Sequence, residues 1–482
     1  MYHISDIKKI IRCERLYFYS KSEENSFNPY LRTDESINDL IIKYLKIDNY
    51  FEGIRNDEPK RFFDNKDNYD WFVRPRFTDD ELRINIPFMH KVNGGFDLYF
   101  IYFGTNIKEL DTLTYNISLK VLEKNNIKVN NIYIICLNGE YINEGSIDVD
   151  KLFVCSDTYK YQRIINIVRK NDTNYKALIK KMKTEDINEY ECKKNKSCRL
   201  NGLCDHYQDC FPDEEKLDDD SVLYLVSSQY KNQMYEEGIR SLKDVDLNRI
   251  EGNRVQYAQI MASKNNGLFI DKLALSHWLN DLNKRPISFI DFEWDRYLLP
   301  VYVGMKSMDV VCFEFALYTL NEKGEIEHHT YMGTGDCRKE FIEKLIEYLP
   351  ENGPIVAYNA EGAECLRLKE LGDIYPDYKE KLDKINERFI DLAVPFIEGL
   401  IYDTRMQGNF TLKKLVDICS DYSYADLDIY NGMEAVYNWR NIDRGLTSEK
   451  VIDDLKQYCS LDAYGLFLVY KWLIKLIVKS IW

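Results

Sequence analysis

Residues 286–293 read Pro-Ile-Ser-Phe-Ile-Asp-Phe-Glu, an apolar run that ends in two carboxylates. Ile287, Phe289 and Ile290 predict a buried strand. Side chains alternate along a strand, so Asp291 and Glu293 share one face and Phe292 takes the other. Two carboxylates on one face repel each other unless a cation lies between them, and a hard divalent ion such as Mg²⁺ or Mn²⁺ suits an oxygen-only pair. A strand end with two solvated acids is the plainer reading, so the rest of the chain has to decide.

Three later features bear on that choice. In Pro354-Ile-Val-Ala-Tyr-Asn-Ala-Glu-Gly-Ala-Glu364 a short buried strand is expected to end at Tyr358 and Asn359. A helix then carries Leu366, Leu368 and Leu371, with Glu361 and Glu364 at its start, where the helix dipole also favours acids. Asp391 precedes an apolar stretch. Finally Tyr458 and Asp462 lie four residues apart on the last long helix, and so on one face of it.

In this order the set resembles the DnaQ-like, or DEDD, 3′-to-5′ exonucleases of the RNase H-like fold, in the subclass with Tyr at the position of Tyr458. The resemblance covers residues 284–482. It implies two Mg²⁺ or Mn²⁺ ions, with Asp291 bridging both, Glu293 and Asp462 completing the set and Tyr458 orienting the attacking water. Glu364 is taken as the remaining acid, with Glu361 and Asp391 open as alternatives. The whole chain looks like a bacterial family of predicted RecB-type nucleases whose C-terminal module carries a domain-of-unknown-function label. The residues behind that match are 290–293, 357–360, 362–364, Tyr424-Ala-Asp-Leu, Asn431-Gly-Met-Glu-Ala435 and 458–462.

The front of the chain alternates differently. Ser5 is expected to cap a helix running through Ile7, Ile10 and Ile11 to Cys13 and Tyr17. Residues 51–80 give no clear pattern. A strand from Leu82, a turn at Asn93-Gly94-Gly95, a strand over 96–103, a helix over 111–124 and a strand over 131–137 predict an α/β core. Charged helices follow over 160–190. Cys192, Cys198, Cys204 and Cys210 come at intervals of six. Residues 213–220 read as a solvated acidic linker, and 238–245 as a small helix–turn–helix element.

This half resembles the RecB-like nucleases of the PD-(D/E)XK fold that accompany CRISPR systems, through Ile4-Ser-Asp, Arg12-Cys13-Glu-Arg-Leu-Tyr17 and Cys204-Asp-His-Tyr-Gln-Asp-Cys210. The resemblance implies a four-iron, four-sulfur cluster on Cys13, Cys198, Cys204 and Cys210, with Cys192 as alternate ligand and zinc as the alternative metal. Cys-x2-Cys pairs, the common zinc spacing, are absent. The Glu-x-Lys that such nucleases need falls on Phe100 and Tyr102, and the preceding acid near Asn85–Pro87, so this domain is expected to be catalytically degenerate. The expected organisation is 1–215 nuclease-like, 216–283 helical connector and 284–482 exonuclease-like.

Composition sets bounds on this. A net charge of −15 gives no global attraction to nucleic acid, so binding must come from local patches such as Lys193, Lys194, Lys196 and Arg199. Met1-Tyr-His-Ile-Ser-Asp is no signal peptide, and the apolar tail 466–482 is broken by Lys471, Lys475 and Lys479, so a buried helix and a cytoplasmic protein with no membrane contact are expected. Two readings stand. One is a metal-dependent exonuclease acting on DNA rather than RNA, at a single strand or 3′ end, with possible protein partners in defence or repair. The other is a non-catalytic, nucleic-acid-binding iron–sulfur subunit of a defence, CRISPR or repair complex. The intact acid set favours the first.

Overall fold

The computed structural model describes residues 1–21, 36–199, 204–212, 217–250, 252–422, 432–443, 445 and 449–479. The motif 424–427 and Asn431 therefore lie outside the described residues. The chain divides into two units, 1–212 with 297–309, and 213–296 with 310–482. The segment 297–309, expected in the C-terminal domain, thus belongs to the first unit, and the expected connector 216–283 belongs to the second.

Unit 1 is built on a six-stranded mixed sheet in the order 50–52, 71–73, 88–92, 95–101, 129–137, 153–156. The turn at Gly94 closes the hairpin between its third and fourth strands, and Gly94 takes the left-handed φ of +77° that such a turn needs. Strands 95–101 and 129–137 run parallel, so a crossover is required, and the helix Thr112–Lys124 supplies it. Asp111 caps that helix by accepting the Thr114 N–H at 3.1 Å. Phe72, Met89, Leu98 and Ile132, in register across four adjacent strands, bury one face of the sheet. Leu299, from 297–309, is buried with Val73, Phe88 and Ile135 on the other face.

Three local expectations are corrected. His3 rather than Ser5 caps the first helix, through a reciprocal pair with Asp6, and the helix stops at Arg12 because Cys13 is extended (φ −165°, ψ 123°). Asp220 is not part of a solvated linker: its carboxylate accepts the hydroxyls of Ser241 and, at 2.6 Å, Ser263. Leu217 packs against a buried cluster and Asp219 accepts from Gln407 at 2.8 Å, while residues 213–216 lie outside the described residues. In place of a helix–turn–helix at 238–245 there is a single 3₁₀ turn, Leu242–Asp244, after Gly238 at φ +94°.

Unit 2 carries the acid-bearing strand β1 (Ile287–Arg296), which pairs antiparallel with β2 (Val310–Leu320). β2 in turn pairs antiparallel with β3 (Ile326–Met332). The helix α1 (Arg338–Tyr348) leads to β4 (Ile355–Ala357), which lies parallel to β1 on its other side. The helices α2 (Glu364–Ile374) and α3 (Pro376–Asn386) lead to β5 (Phe389–Asp391), parallel to β4. The sheet order is therefore β3-β2-β1-β4-β5, with β1 at the centre. The remaining helices used below are α4 (Leu412–Cys419), α5 (Gly432–Asp443) and α6 (Glu449–Lys479).

The apolar tail expected as a buried helix is the end of α6, 31 residues long. Among the described residues no helix is long and apolar enough to cross a membrane. α6 lies on β1 and β2, where Phe289 meets the rings of Phe467 and Tyr470 at 5.5 Å each. Phe289 is fully buried. Phe289→Ala is expected to lower stability by about 3–5 kcal/mol in urea unfolding. A loss below about 1 kcal/mol would mean that α6 is not held on β1 by this contact.

Candidate functional site

β1 is a central strand whose Phe292 is buried away from the site, so its alternation turns Asp291 and Glu293 to the α6 side. A β-bulge between Glu293 and Trp294 ends the regular register immediately after the second acid. Beyond it, Asp295 is buried in a bidentate ion pair with Arg440 of α5, at 2.6 and 3.0 Å. That pair ties the far end of the strand to α5.

On α6 the spacing of four brings Tyr458 and Asp462 to one face. Asp291, Glu293 and Asp462 each present a carboxylate oxygen within 4.8 Å of the others. Among the described residues this is the one group of three or more such ligand side chains so close together. Burial, then Asp462, Glu293 and Glu364, push Asp291 well above the usual carboxylate range. Burial, then Asp462 and Glu314, do the same for Glu293, with Lys413 opposing. Three carboxylates in this position stay ionised together only if positive charge joins them. Their donor set is oxygen only, which suits Mg²⁺ or Mn²⁺ rather than zinc or copper.

Tyr458 is buried, and its hydroxyl accepts a hydrogen bond from the Lys413 ammonium at 3.1 Å and pairs with Asp462. Burial, then Asp462, Glu293 and Asp291, raise the phenol far above its ordinary pKa, so it stays protonated. The Cys459 thiol donates to Asp291, to its backbone oxygen at 3.5 Å and to its carboxylate at 3.6 Å.

Glu364 is almost fully buried at the first turn of α2. Its carboxylate accepts from the backbone at Glu364 and at Phe292, between the two β1 acids, and it acts electrostatically on both of them. Burial pushes it up to about 8, and its Oε2 has no hydrogen-bond partner. It stands beside the trio rather than in it. Glu361 is exposed. Asp391 spends one oxygen on the N–H groups of Asn359, at 2.9 Å, and Ala393, at 2.8 Å. That cap suits Asn359, whose φ is +56°.

A family model described as "Domain of unknown function (DUF2779)" matches residues 288–411. The match takes in Asp291, Glu293 and Glu364 and leaves out Tyr458, Asp462, Cys13, Cys192, Cys198, Cys204 and Cys210. No curated protein matches this chain. Among solved structures, a family B DNA polymerase from the hyperthermophilic archaeon Pyrobaculum calidifontis aligns with 15% identity over 39% of this chain and 24% of its own, at a TM-score of 0.27. At that score the likeness says nothing of fold or activity.

Two site residues escaped the sequence. Glu314 on β2 faces Glu293 across the strand pair, is fully buried, and has no hydrogen-bond partner on either carboxylate oxygen. Burial pushes it up to about 8, with Lys456 opposing. Its signal was available, as an acid in the middle of the apolar run 310–317. Lys413 gave no such signal. It begins an ordinary amphipathic helix, and only the fold brings it over the Tyr458 ring, 4.6 Å from the centroid.

In unit 1, Cys13, Cys198, Cys204 and Cys210 line one small cavity with Leu16, Tyr207 and Phe211. Cys192 is exposed and donates its thiol to the Cys210 carbonyl at 3.1 Å. The extended Cys13 between two helices is what places the N-terminal thiol there. Burial, then Cys192, push the Cys210 thiol up to about 12. No three of these sulfurs lie within 4.8 Å of one another among the described residues. Of the expected basic patch, Lys194 lies over the Phe211 ring at 5.0 Å, and the side chain of Arg199 lies outside the described residues. Phe100, at one expected Glu-x-Lys position, lines a cavity with Asn85 and Pro87. The Tyr102 hydroxyl, at the other, accepts the Lys108 N–H at 3.4 Å.

Proposed function

We propose that unit 2 is a metal-dependent phosphodiester hydrolase, a 3′-to-5′ exonuclease of the DnaQ-like Tyr subclass with an RNase H-like sheet, acting on DNA in preference to RNA. The observation that carries this is the trio Asp291, Glu293 and Asp462, with its oxygens within 4.8 Å of one another. The sheet order, with an antiparallel β3-β2-β1 and a parallel β4 and β5, supports the fold. Tyr458, one turn before Asp462, supports the subclass.

Asp291, Glu293 and Asp462, with Glu364 beside them, would hold two Mg²⁺ or Mn²⁺ ions. Bound there, the ions would make water nucleophilic near neutral pH and offset phosphodiester charge. The chain's own groups do the rest. Tyr458, kept protonated and donating to Asp462, keeps a lone pair that can accept from the water and orient it. Lys413 fixes that hydroxyl and lends positive charge where negative charge develops. Cys459 restrains the Asp291 carboxylate. Labelled single- and double-stranded DNA and RNA, incubated with Mg²⁺ or Mn²⁺ and with chelator, test the reading. It requires metal-dependent release of mononucleotides from single-stranded DNA and no release in chelator.

For unit 1 the reading is a RecB-like fold without its own active site, carrying a four-iron, four-sulfur cluster on Cys13, Cys198, Cys204 and Cys210. The cavity that the four cysteines share supports a bound cofactor there, and the absence of Cys-x2-Cys spacing favours a cluster over zinc. A cytoplasmic protein with partners in a defence or repair system fits both units. Anaerobically purified protein is expected to hold about four iron atoms and to absorb near ~400 nm, and Cys204→Ser to lose both. A colourless protein with stoichiometric zinc would contradict the cluster.

A further inference from the structure

Unit 1 gathers a second set of charges along the hairpin 71–92. Residues 71–79 and 82–92 run antiparallel throughout, with the Arg74 N–H on the Pro87 carbonyl at 2.9 Å and the Ile86 N–H on the Pro75 carbonyl at 3.1 Å. In register Arg76 faces Asn85 and Thr78 faces Arg83. Those side chains share one face, while Phe77, Leu82 and Ile84 are buried on the other. Arg74 stands at the bend with φ +53°, a left-handed conformation that an arginine adopts only under constraint. The constraint is Gly53, where any Cβ would sit 2.0 Å from the Arg74 carbonyl oxygen.

Arg83, Arg74 and the exposed Arg55 therefore crowd the half-buried Arg76, with Asp57 opposing them. The Nε of Arg76 is buried without a hydrogen-bond partner. Like charges held this close cost stability that an anion would recover. Of the acids present, Asp57 is largely buried and already paired with Arg61, and the other two are weak competitors for that role. Glu52 on Arg74 and Glu58 on Arg83 are exposed partners, and such pairs contribute little.

Arg74 lines a cavity of about 290 Å³ with Asn38, Asn85, Phe100, Phe103, Tyr115 and Asp111, whose carboxylate is already paired with Lys8; Arg76 is not in that lining but faces Asn85, which is. Phe103 is 50% exposed, a large apolar ring left at the mouth beside arginines and amides. Bare phosphate has no use for that ring, whereas a nucleobase stacks on it and finds partners in amide side chains.

We propose that this cavity binds one nucleotide unit, with its phosphate on Arg74 at the side where Arg76 backs Asn85, its base on Phe103 and its base edge on Asn38 and Asn85. The site is independent of the acid trio and is tested with chelator present, so its failure and that of the exonuclease reading are separate results.

The measurement is fluorescence anisotropy of a labelled single-stranded oligodeoxynucleotide on the full chain in EDTA. The double change Arg74→Ala and Arg76→Ala is expected to weaken binding at least about 10-fold and to flatten the salt dependence by about two phosphate contacts. Phe103→Ala is expected to weaken it about 5- to 100-fold, the range for one stacked base. Arg55→Ala, at an exposed position, keeps the test valid if the half-buried Arg76 change unfolds the protein, and is expected to weaken binding about 2- to 5-fold. Competition by deoxyadenosine monophosphate would assign the site to free nucleotides, and its failure to compete would assign it to a strand. Unchanged affinity in all three variants would overturn the proposal. So would full displacement by tripolyphosphate with no effect of Phe103→Ala, since the site would then bind any anion.

Discussion

Asp291→Asn is expected to abolish metal-dependent phosphodiester cleavage, by at least about 10³-fold in rate, and to leave the fold intact. The magnitude follows from its position. Asp291 is the acid that Asp462, Glu293 and Glu364 all act upon, so removing its charge would weaken the hold on both of the proposed ions. Asp462→Asn is expected to be nearly as damaging. Tyr458→Phe should be milder, about 10²-fold, because it removes one hydrogen bond to water and no metal ligand. Without metal, Asp291→Asn should be at least as stable as the parent, since it relieves repulsion. Calorimetry in EDTA and single-turnover cleavage in Mn²⁺ measure the two halves of this expectation. Cleavage that survives Asp291→Asn would move the chemistry away from β1.

The second large effect concerns Glu314 and pH. Its folded-state pKa is about 8, against the ordinary carboxylate value near 4.5. The raised value means that the folded state holds the proton more tightly than the unfolded chain does. Below about pH 4 both states are protonated and Glu314 carries no penalty. As pH rises from there towards 8 the penalty grows, so metal-free stability should fall across this window. Glu314→Gln cannot ionise and should flatten the curve, its advantage over the parent increasing by roughly 3–4 kcal/mol between about pH 5 and 8. Urea unfolding in EDTA across that range is the measurement. Parallel pH curves for parent and variant would show that Glu314 does not titrate with the fold.

Much of the acid site could be read from the sequence because its spacings are local. Asp291 and Glu293 share a face by strand alternation, and Tyr458 and Asp462 by helical repeat, so no fold was needed to pair them. What joins the pairs is non-local: α6 must cross β1, and neither spacing states that. For the same reason Glu314 and Lys413 went unseen. Each reaches the site from a separate element, through strand pairing in one case and helix packing in the other. In unit 1 the hairpin at Gly94 and the helix capped by Asp111 were legible from turn and cap residues. The strands over 50–52 and 71–79 were not, because polar and aromatic residues there alternate with a break at Arg74, whose carbonyl packs against Gly53, just past the strand 50–52. The cysteines gave their grouping by spacing. The role of Cys13 in that group depends on a helix break, where an unbroken helix had been expected.

The central claim is that the trio on β1 and α6 holds the ions that cleave nucleic acid from its 3′ end. A 5′-labelled single-stranded oligodeoxynucleotide, digested in Mn²⁺ by the parent and by Asp291→Asn and sampled over time, tests it most directly. The account predicts a ladder that shortens one nucleotide at a time from the 3′ end with the parent, and intact substrate with the variant. Intact substrate with the parent, or the same ladder with both proteins, would contradict it.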